Sequence, residues 1–213
     1  MDFKKFFKQV TDLLKKEKVR FALAGGMVTS LYRKTERLTK DLDFLIVSET
    51  HTQKKATHII ESLGLSPTLI RKADLEGGPL FAIKRKSSEP YMIVGRAEGD
   101  SSKIGLDFIL PSMPWFASAL PRAEQNKVDF GFGSIPCMTV EDILIAKFLS
   151  VKNDSRRFTD LDDIKSIFEA NHPLDLAYLS GQMQKLNLTV PRQIQDLAPK
   201  ALSVLSKKMK RKN

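Results

Sequence analysis

A chain of 213 residues is long enough for one domain, or for a core with a smaller helical lobe, and its 42% hydrophobic content supplies material for that core. No apolar run is long enough to span a bilayer, and the single cysteine, Cys137, cannot form an internal disulfide. A formal net charge of +10 attracts polyanions such as nucleic acid or nucleotides, although ordinary soluble proteins are also often basic. No membrane partner is expected, and the cytoplasm is the expected location.

In chain order, "MDFKKFFKQVTDLLKKEKVR" repeats Phe3, Phe6, Phe7, Val10, Leu13 and Leu14 at helical spacing. It reads as an amphipathic helix over residues 2 to 17, since lysines interrupt the apolar run and no small-residue cleavage site follows. "VRFALAGG" is a short strand ending in glycines, "MVTSLYRK" a short helix, and "LDFLIV" a second strand. "TQKKATHIIESLG" is a helix closed by Gly64. "SPTLIRK", "LFAIKRK", "YMIVG" and "KIGLDFIL" are strands, followed by a loop containing Pro111, Pro114, Trp115 and Pro121. A short strand around "GSIPCM" leads into "TVEDILIAKFLSV", a helix capped by Thr139 with Asp142 three residues on. Beyond it "TDLDDIKSIFEA", "LDLAYLSGQMQKL" and "VPRQIQDLAPKALSVLSKKMK" show helical apolar spacing. The expected class is α/β (α+β): a small mixed sheet flanked by helices over 1–137, then a helical subdomain over 138–213.

Residues two apart on a strand share a face, so Asp41 and Asp43 project together while Leu42 and Phe44 turn away. Two neighbouring carboxylates repel one another unless a cation or a shared proton relieves them. Magnesium suits such hard oxygen ligands and leaves room for substrate phosphates, with manganese as the alternative ion. Asp107, on another expected strand, offers a third carboxylate, and three such groups suit two-metal phosphoryl or nucleotidyl transfer. A lone Asp-x-Asp also occurs by chance in solvated turns. Here it enters a strongly apolar strand and follows Gly25 and Gly26, whose bare backbone allows a phosphate close to a helix N-terminus. The same glycines also suit a simple tight turn.

"AGGMVTSLY" with "ERLTKDLDFLI" resembles the signature of polymerase-β-like nucleotidyltransferases, and is most similar to the branch containing AbiEii-type toxins. Arg37, Thr39, Asp41 and Asp43 fill the Arg-x-Thr-x-Asp-hydrophobic-Asp positions. "CMTVEDILIAKFLSVKNDSRRFTDLDDIKSIF" is similar to the family's second block, with Lys147 at the lysine and Asp160 and Asp163 at the acidic positions. The chain departs from the pattern at Thr159, where the family often has lysine; Arg156 and Arg157 stand nearby.

The resemblance implies that Gly25, Gly26 and Thr29 or Ser30 cradle the triphosphate of an NTP, with Arg37 and Thr39 in the substrate site. It implies Asp41, Asp43 and Asp107 as metal ligands, and Asp107 also in acceptor deprotonation. Lys147 would neutralise phosphate charge, and Asp160 would lie near the nucleotide or position Lys147. The ordinary readings are a surface ion pair of Lys147 with the Glu141 and Asp142 neighbourhood, and helix capping by Asp160 and Asp163.

The implied activity is metal-dependent transfer of NMP from an NTP to an acceptor. The acceptor expected from the basic charge is RNA, such as a tRNA 3′ end, with protein hydroxyls and small molecules as alternatives. The same resemblance points to a toxin with an antitoxin protein partner. The competing class is a catalytically silent nucleotide- or RNA-binding relative, against which the full set Asp41, Asp43, Asp107 and Lys147 argues. An Asp-x-Asp glycosyltransferase would need a doubly wound half before the motif, and only one helix and one strand precede Asp41. His51, His58 and His172 lack metal-ligand spacing and read as surface residues, and Cys137 as buried and inert. Lys84, Arg85 and Lys86, with Arg71 and Lys72, and the tail "SKKMKRKN" read either as nucleic-acid contacts or as solvated edges and ends.

Overall fold

The computed structural model describes residues 2–71, 90–97, 104–111, 115–154 and 156–204. The expected strand "LFAIKRK", the basic residues Lys72, Lys84, Arg85 and Lys86, and the tail after residue 204 lie outside the described residues. The chain falls into two compact units. One holds the described residues of 2–28, 38–71 and 90–138; the other holds 29–37 and those from Thr139 onward.

The first unit is built on helix α1 (Phe3–Lys16), strand β1 (Arg20–Leu23), the start of helix α2 (Gly25–Tyr32) and strand β2 (Asp41–Val47). Helix α3 (Thr52–Ser62) and strands β3 (Ser66–Arg71), β4 (Pro90–Arg96) and β5 (Gly105–Ile109) follow, then helix α4 (Phe116–Gln125) and strands β6 (Lys127–Asp129) and β7 (Ser134–Pro136). The mixed five-stranded sheet has the order β1-β2-β5-β4-β3, and β6 and β7 form a separate hairpin. β2 and β5 are parallel, whereas β1–β2, β4–β5 and β3–β4 are antiparallel.

Alternation along β2 and β5 sorts their side chains. Leu42, Phe44, Leu106 and Phe108 are fully buried. The Phe44 ring lies 5.9 Å from Phe7 of α1, 5.8 Å from Phe21 and 6.3 Å from Phe108. α1 reaches this core because Phe6, Phe7, Val10 and Leu14 fall on one helical face, with Asp2 capping its first turn through Lys4 N at 2.8 Å. With the phenylalanines committed inward, the pleat turns Asp41, Asp43 and Asp107 to the opposite face.

α4 takes the part of the expected proline loop that holds Pro121, whereas Pro114 lies outside the described residues. Phe116, Ala119, Leu120 and Ala123 recur at i, i+3, i+4 and i+7 and are all buried, and this apolar stripe outweighs the backbone hydrogen bond that Pro121 cannot make. β6 was not expected either; the Asp129 carboxylate accepts from Gly131 N at 2.8 Å and shapes the turn of its hairpin.

The second unit contains helices α5 (Val140–Asn153), α6 (Phe158–Ala170) and α7 (Leu176–Lys185). Thr139 caps α5 as expected, accepting from Asp142 N and donating to Asp142 Oδ2 at 2.9 Å. The buried Asp142 also accepts from Tyr178 Oη at 2.6 Å, and Glu141 accepts from Asp175 N at 2.8 Å, so two acidic residues at the start of α5 anchor α7. The expected last helix is broken. Pro191 precedes a 3₁₀ turn, Arg192–Ile194, and helix resumes at residues 200–204, one residue beyond Pro199. His172 is half-buried rather than on the surface, with Nε2 3.0 Å from Tyr32 O. Among the described residues no helix is long and apolar enough to cross a membrane.

Candidate active site

β2 and β5 run parallel with Asp43 paired to Asp107 and Asp41 paired to Gly105. The three aspartates thus come from neighbouring strands with their side chains on one face. Two glycines make space for their carboxylates. Gly25, at φ +59°, opens α2 where a Cβ would overlap the Asp43 carboxylate. A Cβ on Gly105 would overlap Asp41 Oδ1 and lie 2.9 Å from Arg96 Nη1. Thr39 sits against Gly26, with Oγ1 2.9 Å from where a Cβ would stand, and donates to Asp41 O at 3.4 Å.

Asp107 is the most buried of the three, at 9% exposure, whereas Asp41 and Asp43 are half-buried. Burial pushes the Asp107 carboxyl above the usual carboxylate range, and the Asp41 charge adds to this while Arg96 opposes it. The Arg96 guanidinium grips both Asp107 oxygens, at 2.5 Å and 3.2 Å, and Nη1 also donates to Gly95 O at 3.0 Å. The hydrogen bond to Asp107 holds the Arg96 pKa above its ordinary value, with further support from the charges of Asp41 and Asp43.

These carboxylates are hard oxygen donors, and the two missing Cβ atoms leave them room, so the residues suit a magnesium-type ion. Among the described residues no three His, Cys, Asp or Glu side chains are arranged to hold a metal. The Asp107 carboxylate is turned to Arg96.

In the helical unit, Asp160 and Asp163 lie one turn apart on α6. The Lys147 ammonium of α5 is 2.6 Å from Asp160 Oδ1 and 2.7 Å from Asp163 Oδ2. Asp163, fully buried, also accepts from Arg33 at 2.5 Å and Arg37 at 2.7 Å, while Asp160 accepts from Arg157 at 2.5 Å. Neither aspartate caps α6, whose N-cap position is Arg157. Lys147 pairs across to α6, while Glu141 and Asp142 serve α7 instead.

The expected site residues therefore divide. Gly25, Gly26, Thr39, Asp41, Asp43 and Asp107 belong to the sheet unit, and Thr29, Ser30, Arg37, Lys147 and Asp160 to the helical unit. Thr29 is fully buried, and Ser30 Oγ donates to Arg37 O at 2.9 Å. The Lys147 ammonium donates to Asp160 Oδ1. Arg96, Gly105 and Arg33 were missed. Arg96 ends an apolar strand and Gly105 stands two residues before Asp107, signals that gain meaning only once β4 and β5 are known to be neighbours.

The strand order and the aspartates on parallel strands define a protein of the polymerase-β-like nucleotidyltransferase class. The chain belongs to the family described as nucleotidyl transferase AbiEii toxin of type IV toxin–antitoxin systems, whose model matches residues 12–212; it is a nucleotidyltransferase. Among solved structures, it is similar to ANT(2″)-Ia in complex with adenylyl-2″-tobramycin, at 12% identity over 86% of this chain and 95% of that one, with a TM-score of 0.54. A solution structure of the same antibiotic-resistance factor matches at 16% identity over 100% of this chain and 94% of that one, TM-score 0.48. The lincosamide antibiotic adenylyltransferase LnuA, lincomycin-bound, matches at 21% identity over 76% and 94%, TM-score 0.45. No curated protein matches the chain at a significant level.

Proposed function

We propose that the protein transfers a nucleoside monophosphate from an NTP to an RNA acceptor such as a tRNA 3′ end. In this reading it acts in the cytoplasm as the toxin of a pair with an antitoxin protein. The observation that carries the catalytic reading is the register of Asp43 with Asp107 on adjacent parallel strands, with Asp41 on the same face. The formal charge of +10 supports a polyanionic acceptor.

In the proposed reaction the acceptor hydroxyl oxygen bonds to the α-phosphorus, the α–β phosphoanhydride bond breaks, and pyrophosphate leaves. Asp41 and Asp43 would hold the magnesium or manganese ion. When bound, that ion supplies electrophilic stabilisation of the phosphate oxygens. Asp107 takes the hydroxyl proton on a carboxylate oxygen: its raised pKa makes it a stronger base than an ordinary aspartate, and each oxygen has a lone pair beyond the one given to Arg96. Gly25 and Gly26 keep the backbone at the start of α2 bare beside the carboxylates, where a phosphate would approach.

Incubation with each α-labelled NTP, magnesium and separated RNA, protein and small-molecule fractions tests this reading. Label in RNA that disappears with Asp41→Ala supports it. Label confined to protein or small molecules replaces the acceptor, and label unchanged by Asp41→Ala removes the carboxylate site from the reaction.

A further inference from the structure

We propose that Arg96 takes the place of a second metal ion, so that without nucleotide the carboxylate site accepts a single divalent cation, held by Asp41 and Asp43. This rests on the metal-dependent reading above and changes the expectation that Asp107 is a metal ligand.

The guanidinium meets Asp107 end-on, through Nη1 and Nη2, and donates to both of its oxygens. A carboxylate so engaged is a poor ligand, because its charge is already partly neutralised and an approaching ion must stand beside a fixed positive charge. The guanidinium is also held from behind, through Nη1 to Gly95 O at 3.0 Å. Independently, the sheet has a seat for it: Gly105 lacks the Cβ that would press on Arg96 Nη1 at 2.9 Å and overlap Asp41 Oδ1. Arg96 and Asp41 thus share the bare surface over one glycine, and the guanidinium stands where the charge of Asp41 also acts on it. Its side chain is 46% exposed, so it is a replaceable cation at the rim of the cluster rather than a core residue.

Manganese alone, titrated into the full-length protein without nucleotide and followed by the electron paramagnetic resonance signal of the free ion, tests this inference. The wild type should bind one ion, and Asp43→Asn should abolish that binding. Asp107→Asn should leave it in place, because Asp107 is not a ligand. Arg96→Gln should give a second ion or tighten binding by at least about tenfold, a change of roughly 1.4 kcal/mol. Arg96→Lys should keep one ion, since it retains the charge. Two ions on the wild type, none, loss of binding with Asp107→Asn, or an Arg96→Gln titration identical to wild type would each overturn the inference. Nucleotide transfer is scored separately. One ion without transfer defeats the proposed function and leaves the role of Arg96 standing, whereas two ions with transfer do the reverse.

Discussion

Asp43 and Asp107 are Cα partners on parallel strands, and the residues that follow them, Phe44 and Phe108, are partners in the core behind. The same pleat that buries the two rings puts the two carboxylates side by side. Repulsion between the aspartates is thus opposed by aromatic burial, since separating the charges would also shift the rings.

Gly25 should tolerate no side chain. At φ +59° an alanine costs about 1–2 kcal/mol in backbone conformation alone, and its Cβ would overlap the Asp43 carboxylate. Gly25→Ala is expected to lower kcat by about 100-fold or more by displacing Asp43, while urea unfolding shows only a modest loss of stability.

Asp163 is the hub of the helical unit. Asp163→Ala leaves Arg33, Arg37 and Lys147 around a buried gap, with an expected loss of about 3–5 kcal/mol in urea unfolding. Lys147→Met should cost clearly less, because Asp160 keeps Arg157 and Asp163 keeps both arginines.

The Cys137 thiol is fully buried, and desolvation pushes its pKa up to about 12. Native protein at pH 8 should not react with Ellman's reagent over minutes, and should release one thiol equivalent after unfolding.

Arg20 of β1 grips Glu124 of α4 at 2.8 Å and 3.0 Å, and this pair holds the Glu124 carboxyl below its ordinary value. A lowered folded-state pKa means that the stabilisation is present above the unfolded value of 4.5 and is lost as pH falls through the folded one. Glu124→Gln should therefore cost less than about 1 kcal/mol at neutral pH, since the pair is solvent-screened, and the difference should vanish in acid.

Much of the sheet face was legible because strand alternation is local: Asp41, Leu42, Asp43 and Phe44 alone fix which side each takes. The cap of α5 was legible for the same reason. Arg96 was not, because it meets Asp107 only once two antiparallel strands pair. Arg33 and Asp163 are 130 residues apart, and no local period connects them. The prolines misled in both directions. Pro121 reads as a loop residue but sits inside α4 because the apolar stripe prevails, whereas Pro191 and Pro199 interrupt a run whose spacing alone reads as one helix.

Nucleotidyl transfer to RNA by the carboxylates of β2 and β5 is tested by single-turnover incorporation of α-labelled nucleotide into purified tRNA by wild type and Asp43→Asn, with matched circular dichroism spectra. The expected result is incorporation by the wild type, lowered by at least about 100-fold in the variant. Incorporation by Asp43→Asn at the wild-type rate, or none by the wild type with any of the four nucleotides, would contradict it.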